Sequence, residues 1–177
     1  MEALYTAGQV SLLDLNRIYG GAFVAFHSYL ENSLEDLFLG LVTQRLEIRG
    51  VRPLVSISGD RVAQRVVFGG RNYADWLPFN KQTVPRAEAF LSSGRPFTEL
   101  SKADRNFLDD LALLRNALAH ESGHSMKQFR RVYVGNRALP PQQTRPAGYL
   151  RGQHTLNQRR FEYLLGQAAH IVGTLCS

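Results

Sequence analysis

The segment FVAFHSYLENSLEDLFLGL, residues 23–41, decides the fold class. Its apolar residues stand at positions 23, 26, 30, 34, 37, 38 and 41, which is helical spacing sustained over about five turns. The pattern predicts a long amphipathic α-helix. Glu31, Glu35 and Asp36 fall off the apolar stripe, so we expect them on the solvated face rather than as paired catalytic carboxylates.

Further helices are predicted on both sides of this segment. A first helix is expected over residues 10–19, broken at Gly20 and Gly21. Ser101 opens an S-x-x-D pattern that predicts a helix cap. The helix after it has apolar residues at 107, 111, 114 and 118, and a glycine near 121–123 is expected to close it in the left-handed conformation. A last helix, over residues 161–175, is predicted to be capped by Thr155 with Gln158.

Two stretches lack a clear helical pattern. Residues 50–80 are expected to form an irregular insert, in which a hairpin about Gly59 and Asp60 or a short helix after them are both possible. A short helix over residues 84–92, opened by Pro85, should follow. Residues 127–155 are rich in turn formers and are expected to form a basic loop or a short strand segment. Together these features predict an all-α helical bundle that forms one domain over residues 1–177.

Composition favours an intracellular protein. Cys176 is the one cysteine of the chain, so no internal disulfide can form and a reducing cytoplasm is expected. Acidic residues at positions 2 and 14 argue against a secretory signal peptide. Apolar runs are far shorter than the roughly 20 residues of a membrane-spanning helix, so no membrane association is predicted.

The positive charge is concentrated in one part of the chain. The sequence has 21 Lys and Arg against 15 Asp and Glu, a formal charge of +6. No acid occurs from Ser122 to Phe161, whereas this segment contains Lys127, Arg130, Arg131, Arg137, Arg145, Arg151, Arg159 and Arg160. Such a segment favours a polyanionic partner, because each neutralised phosphate releases condensed counterions. The alternative is a solvated loop.

The segment RNALAH, residues 115–120, carries the chemistry that best suits such a partner. A helical wheel puts Arg115 about 40° from the centre of the apolar stripe at Leu111, so this guanidinium must find an acid, a carbonyl or a bound anion. His120 follows on the last turn of the helix. An arginine that binds phosphoryl oxygens and a histidine that transfers protons suit RNA cleavage by the 2′-hydroxyl, without a metal. Because one histidine cannot easily act as both base and acid, a twofold homodimer is expected.

The segment LLRNALAHES, residues 113–122, resembles the RNxxxH signature of HEPN domains (higher eukaryote and prokaryote nucleotide-binding). The resemblance implies a small helical bundle and, as in many members, a metal-independent endoribonuclease of toxin or phage-defence systems that acts as a homodimer. It implies that Arg115 and His120 are catalytic and that Asn116 is a supporting polar residue. Ser122 stands where members paired with a nucleotidyltransferase antitoxin have tyrosine, which argues against that modification here.

A competing pattern overlaps this motif. Residues 120–124 spell HExxH, which supplies two zinc ligands and a general base in many metalloproteases. The pattern requires a continuous helix, and Ser122 and Gly123 argue against one. The extended form also fails, because Lys127 and Arg130 replace its glycine and third histidine.

The sequence therefore predicts a metal-independent endoribonuclease that uses no cofactor. Arg115, Asn116 and His120 form its catalytic group, and the basic segment binds RNA through Lys127, Arg130, Arg131 and Arg137. Phe129, Tyr133 and Tyr149 either stack on unpaired bases or anchor the segment. A non-catalytic HEPN-like scaffold for RNA or protein, with an antitoxin or defence partner, and a zinc peptidase are the alternatives.

Overall fold

The computed structural model describes residues 1–120 and 122–177, and in them the regular secondary structure is helical apart from one two-stranded sheet. The α-helices and strands are α1 (Glu2–Thr6), α2 (Leu12–Val42), α3 (Asp60–Val67), α4 (Phe79–Phe90), α5 (Lys102–His120), α6 (Gly123–Phe129), α7 (Pro146–Arg151), β1 (Gln153–Thr155), β2 (Gln158–Arg159) and α8 (Arg160–Leu175). The predicted all-α class is confirmed. None of the described helices combines the length and the apolar character needed to cross a membrane.

The long predicted helix is present as α2, but it begins earlier than expected. It runs without interruption through Gly20 and Gly21, so the predicted break is wrong. Each glycine costs about 1 kcal/mol relative to alanine inside a helix, a penalty that the buried side chains of α2 offset. Phe23, Leu30, Leu34 and Phe38 are each at most 4% exposed, which confirms the apolar stripe.

The chain divides into two compact units. The first unit contains Met1–Ser28 and Leu111–Gln167, and the second contains Tyr29–Asp110 and Ala168–Ser177. Helices α2, α5 and α8 each contribute residues to both units. The single domain expected from the sequence stays a prediction.

The second unit is built around Phe38 of α2. Its ring lies 5.0 Å from that of Trp76, 5.6 Å from that of Phe97 and 6.1 Å from that of Phe90. The indole Nε1 of Trp76 donates to Glu35 Oε2 at 3.0 Å. Large aromatic groups in contact supply most of the apolar burial of such a small core.

Glu31 and Glu35 correct the expectation that the acids of α2 are simply solvated. Glu31 Oε1 accepts hydrogen bonds from the backbone N–H groups of Trp76 and Leu77 at 3.2 and 3.3 Å, while Glu35 binds the indole. Asp36 is exposed, as predicted. Local spacing could not reveal these contacts, because the partners are more than 40 residues away.

Asp109 and Asp110 of α5 also belong to the second unit. Asp109 accepts from the backbone N–H of Asn80 at 3.0 Å and from its Nδ2 at 2.9 Å. These bonds hold the first turn of α4. Burial, together with the neighbouring charge of Asp109, raises the pKa of Asp110.

The insert over residues 50–80 contains a helix, so of the two possibilities left open the structure shows the helix after Gly59. Residues 43–59 and 68–78 on either side of α3 are mostly irregular. The short helix expected over residues 84–92 is longer than predicted, since α4 begins at Phe79 and contains Pro85 in its interior. The helix thus contains the proline instead of starting at it.

The basic segment is more helical than predicted. Where a loop or strands were expected over residues 127–155, α6 continues into a π-helix (Arg130–Val134), and a 3₁₀-helix (Pro141–Thr144) precedes α7. Strand pairing occurs only at its end, where β1 pairs with β2 in antiparallel fashion. Thr155 and Gln158 pair there as strand residues, so the predicted cap of α8 is wrong. Instead, Glu162 Oε2 accepts from the N–H of Arg159 at 3.0 Å.

Rings from the basic segment form part of the core of the first unit. Phe129 stacks on Tyr133 with centroids 5.6 Å apart, and Tyr149 lies edge-on to Tyr133 at 5.1 Å. All three residues are buried. They therefore anchor the segment, and base stacking is not their role in this arrangement.

Candidate active site

Helix α5 carries the RNALAH motif and begins with a hydrogen-bonded cap. Ser101 Oγ accepts from the backbone N–H of Asp104 at 3.0 Å and donates to its Oδ2 at 2.7 Å, which confirms the predicted cap. In the first unit Leu111, Leu114 and Ala117 are fully buried and fix the rotation of the helix about its axis. Arg115 is consequently half-buried at the edge of the apolar face, as its wheel position predicts.

The three predicted catalytic residues lie together at the end of α5. Arg115 Nη1 donates to Asn116 Oδ1 at 3.2 Å and lies 3.5 Å from His120 Nε2. The side chains of Asn116 and His120 are exposed. The guanidinium thus joins the amide and the imidazole into one polar cluster that is open to solvent.

The guanidinium of Arg115 faces Nε2 of the His120 ring. A guanidinium can only donate, so Nε2 is the acceptor in any hydrogen bond between the two groups. At 3.5 Å the contact is at the long limit for a hydrogen bond and is weak. A phosphoryl oxygen would bind the guanidinium more strongly and would leave the Nε2 lone pair free.

The helix required by HExxH is not continuous. Helix α5 ends at His120, and Ser122 adopts extended backbone angles (φ −68°, ψ 154°) as the N-cap of α6. His124 therefore lies on a different helix from His120, while Glu121 is outside the described residues. Over residues 1–120 and 122–177, no group of three or more His, Cys, Asp or Glu side chains is placed to hold a metal ion.

Gly123 does not close α5. It has no left-handed backbone conformation and is the first residue of α6. The hydroxyl oxygen of Ser122 accepts from the backbone N–H of Ser125 at 3.2 Å, so a serine cap starts the new helix where a glycine stop was predicted. The serine cap favours the start of α6 because its hydroxyl binds an N–H group that would otherwise be unpaired in the first turn of the helix.

The predicted RNA-binding residues differ in their surroundings. Lys127, Arg130 and Arg131 are exposed on α6 and the π-helix. Arg137 is also exposed as a residue, but its Nη1 donates to Tyr133 O at 3.0 Å and to the Tyr149 hydroxyl at 3.2 Å. Within the described part of the chain, Arg137 therefore has a structural contact that the other three lack.

Other arginines of the basic segment have structural partners too. Arg151 Nε and Nη2 donate to the two carboxylate oxygens of Glu2 at 3.1 and 3.2 Å. Burial acts to raise the pKa of Glu2, but its hydrogen bonds to Arg151 and the charges of Arg151 and Arg159 hold it below its ordinary value. Arg160 Nη1 donates to Gln143 Oε1 at 2.9 Å. Several arginines of the basic segment are therefore bound to other groups of the protein.

Sequence reasoning missed two other cationic features. In the first unit, Arg17 of α2 and Arg145 before α7 line a groove beside the last turns of α5. In the second unit, Arg61, Arg65 and Arg71 line a shallow hollow of about 400 Å³. Arg61 and Arg65 stand four residues apart, a spacing that indicates a shared helix face once α3 is recognised. Nothing in the local sequence indicates Arg17.

No protein-family model, curated protein or solved structure matches this chain.

Proposed function

We propose that this protein is a metal-independent endoribonuclease. The observation that supports it is the cluster at the end of α5, where Arg115 contacts both Asn116 and His120. The side chains of Asn116 and His120 are exposed. An arginine that binds phosphoryl oxygens and a histidine that takes up a proton are two of the groups that cleavage by the RNA 2′-hydroxyl uses. Exposed cationic side chains follow directly on α6.

The proposed reaction uses the RNA's own nucleophile. His120 Nε2 takes the proton of the 2′-hydroxyl, and the 2′-oxygen attacks the adjacent phosphorus. The bond from phosphorus to the 5′-oxygen breaks, and that oxygen leaves with a proton, giving a 2′,3′-cyclic phosphate and a 5′-hydroxyl. Arg115 binds the phosphoryl oxygens as their negative charge increases. Asn116 holds the guanidinium through Oδ1 and is a positioning residue.

The leaving oxygen needs an acid while His120 acts as the base. We propose that a second copy of the chain supplies it across a twofold axis, so the active species is a homodimer. The HEPN resemblance adds the role of a toxin or phage-defence effector, held in check by an antitoxin or another defence protein. These roles rest on the RNALAH motif.

The decisive experiment compares the wild type with His120→Ala and His124→Ala for cleavage of single-stranded RNA in excess chelator. We expect His120→Ala to lose about 100-fold or more of the rate, as for the removal of a general base. His124→Ala is the matched control, since it is an exposed histidine four residues away on α6, and it should cleave like the wild type. Products should carry 2′,3′-cyclic phosphate ends.

Each alternative predicts a different result. Equal cleavage by wild type and His120→Ala would remove the nuclease assignment. A folded protein that binds RNA but never cleaves it would favour the non-catalytic scaffold. Peptidase activity that both histidine variants abolish, with stoichiometric zinc in the wild type, would favour the HExxH peptidase.

A further inference from the structure

The first unit contains a groove of about 640 Å³. It is lined by residues of α2, by Ala117, Leu118 and Ala119 of α5, and by residues at the start of α7. His120 follows Ala119 directly. On α5 the groove lining therefore ends one residue before His120, a rise of about 1.5 Å along the helix axis.

The groove combines an apolar surface with two positive charges. Leu13, Val24, Leu118 and Pro146 supply apolar side chains. Arg17 and Arg145 are exposed, and neither side chain makes a hydrogen bond or ion pair within the described residues. Among the described lining residues there is no acid. Unneutralised guanidinium groups beside an apolar surface suit a ligand that carries both phosphates and flat apolar groups.

The glycine pair of α2 lines this groove, and packing requires glycine at neither position. A Cβ on Gly20 would lie 3.4 Å from Leu118 Cδ2, in ordinary contact. A Cβ on Gly21 would meet no atom within 4 Å. The fold thus gives no reason for glycine at position 21, although glycine costs about 1 kcal/mol there. A side chain at position 21 would extend into open space at the groove lining.

We propose that this groove binds a nucleotide of single-stranded RNA next to the linkage that is cleaved, an inference that rests on the proposed function. The base lies against Leu118 and Val24, and its flanking phosphates bind Arg17 and Arg145. A second copy of the chain is disfavoured as occupant, because a symmetric contact through this groove would bring like charges together. A polyanion neutralises them.

The test measures RNA affinity separately from cleavage. A short fluorescent single-stranded RNA is titrated with the His120→Ala protein, and binding is followed by fluorescence anisotropy. Gly21→Leu is added to this background to fill the groove. Gly166→Leu is the matched control, because Gly166 is an exposed glycine of α8 where a Cβ also meets no atom within 4 Å. We expect about tenfold weaker binding for Gly21→Leu and unchanged binding for the control.

A charge variant tests the second half of the proposal. Arg145→Glu in the same background should also weaken binding about tenfold, whereas Arg49→Glu, an exposed arginine of the second unit, should have a much smaller effect. Circular dichroism and sedimentation of every variant check folding and oligomeric state.

The outcomes separate this proposal from the proposed function. Equal affinity of the Gly21→Leu and Gly166→Leu proteins would overturn the groove assignment, as would an absence of RNA binding by the His120→Ala parent. A Gly21→Leu protein whose oligomeric state changes while its RNA affinity does not would identify the groove as an interface between copies and overturn the proposal. Weaker binding by Gly21→Leu, found together with undiminished cleavage by the single variant His120→Ala, would support the groove and refute the catalytic role of His120.

Discussion

At the scale of single residues, equal charges in the sequence have unequal roles in the structure. Arg130 is exposed on the π-helix without a hydrogen-bond partner among the described residues, while Arg137 bridges Tyr133 and Tyr149. A free guanidinium can bind phosphate at little cost, but one that is already bound must first give up its contacts. The RNA-binding role predicted for Arg137 therefore competes with a structural one.

Substituting these two arginines should separate RNA binding from stability. Arg130→Gln should weaken RNA binding and leave the melting temperature unchanged. The slope of the logarithm of the binding constant against the logarithm of the salt concentration should fall by about one, as for the loss of one phosphate contact. Arg137→Gln should destabilise the fold by about 1 kcal/mol, because Tyr133 O and the Tyr149 hydroxyl lose their donor. Salt titrations of RNA affinity and thermal denaturation measure the two effects. A stable Arg137→Gln protein with strongly reduced affinity would contradict this division.

At the scale of the elements, local patterns predict helices well and their boundaries poorly. The S-x-x-D cap locates the start of α5, and the apolar spacing locates α2. Gly20, Gly21 and Pro85 are residue types that typically interrupt helices, but each lies inside a helix whose tertiary contacts outweigh its poor propensity. The π-helix and α7 escape prediction because their stability comes from the buried rings of Phe129, Tyr133 and Tyr149, which local spacing does not show.

The same element-level reasoning predicts opposite effects for two glycines of α2. Gly21→Ala should stabilise the protein by about 1 kcal/mol, because alanine is the better helix former and its Cβ meets no atom. Gly40→Ala should destabilise it, because its Cβ would lie 2.6 Å from Leu46 Cδ1. The backbone bond from Leu46 N to Gly40 O, at 2.9 Å, holds that leucine close. Chemical denaturation of both variants gives the comparison, and a destabilised Gly21→Ala protein would contradict it.

At the scale of the whole molecule, more of the candidate site than of the fold around it could be predicted from the sequence. Arg115, Asn116 and His120 are close in sequence and share one helix, so spacing alone could place them together. Arg17 and Arg145 come from distant parts of the chain, and the groove that they line depends on long-range packing. The same holds for Glu2 and Arg151, whose ion pair joins residues 149 positions apart.

The position of Trp76 provides an optical probe of one half of the molecule. It is the one tryptophan of the chain and is 1% exposed, with its indole bound to Glu35, so its fluorescence reports on the second unit. Far-ultraviolet circular dichroism reports on the helices of both units. Because α2, α5 and α8 run through both, we expect the two signals to follow one transition in urea. Separate midpoints would mean that the half bearing His120 unfolds on its own.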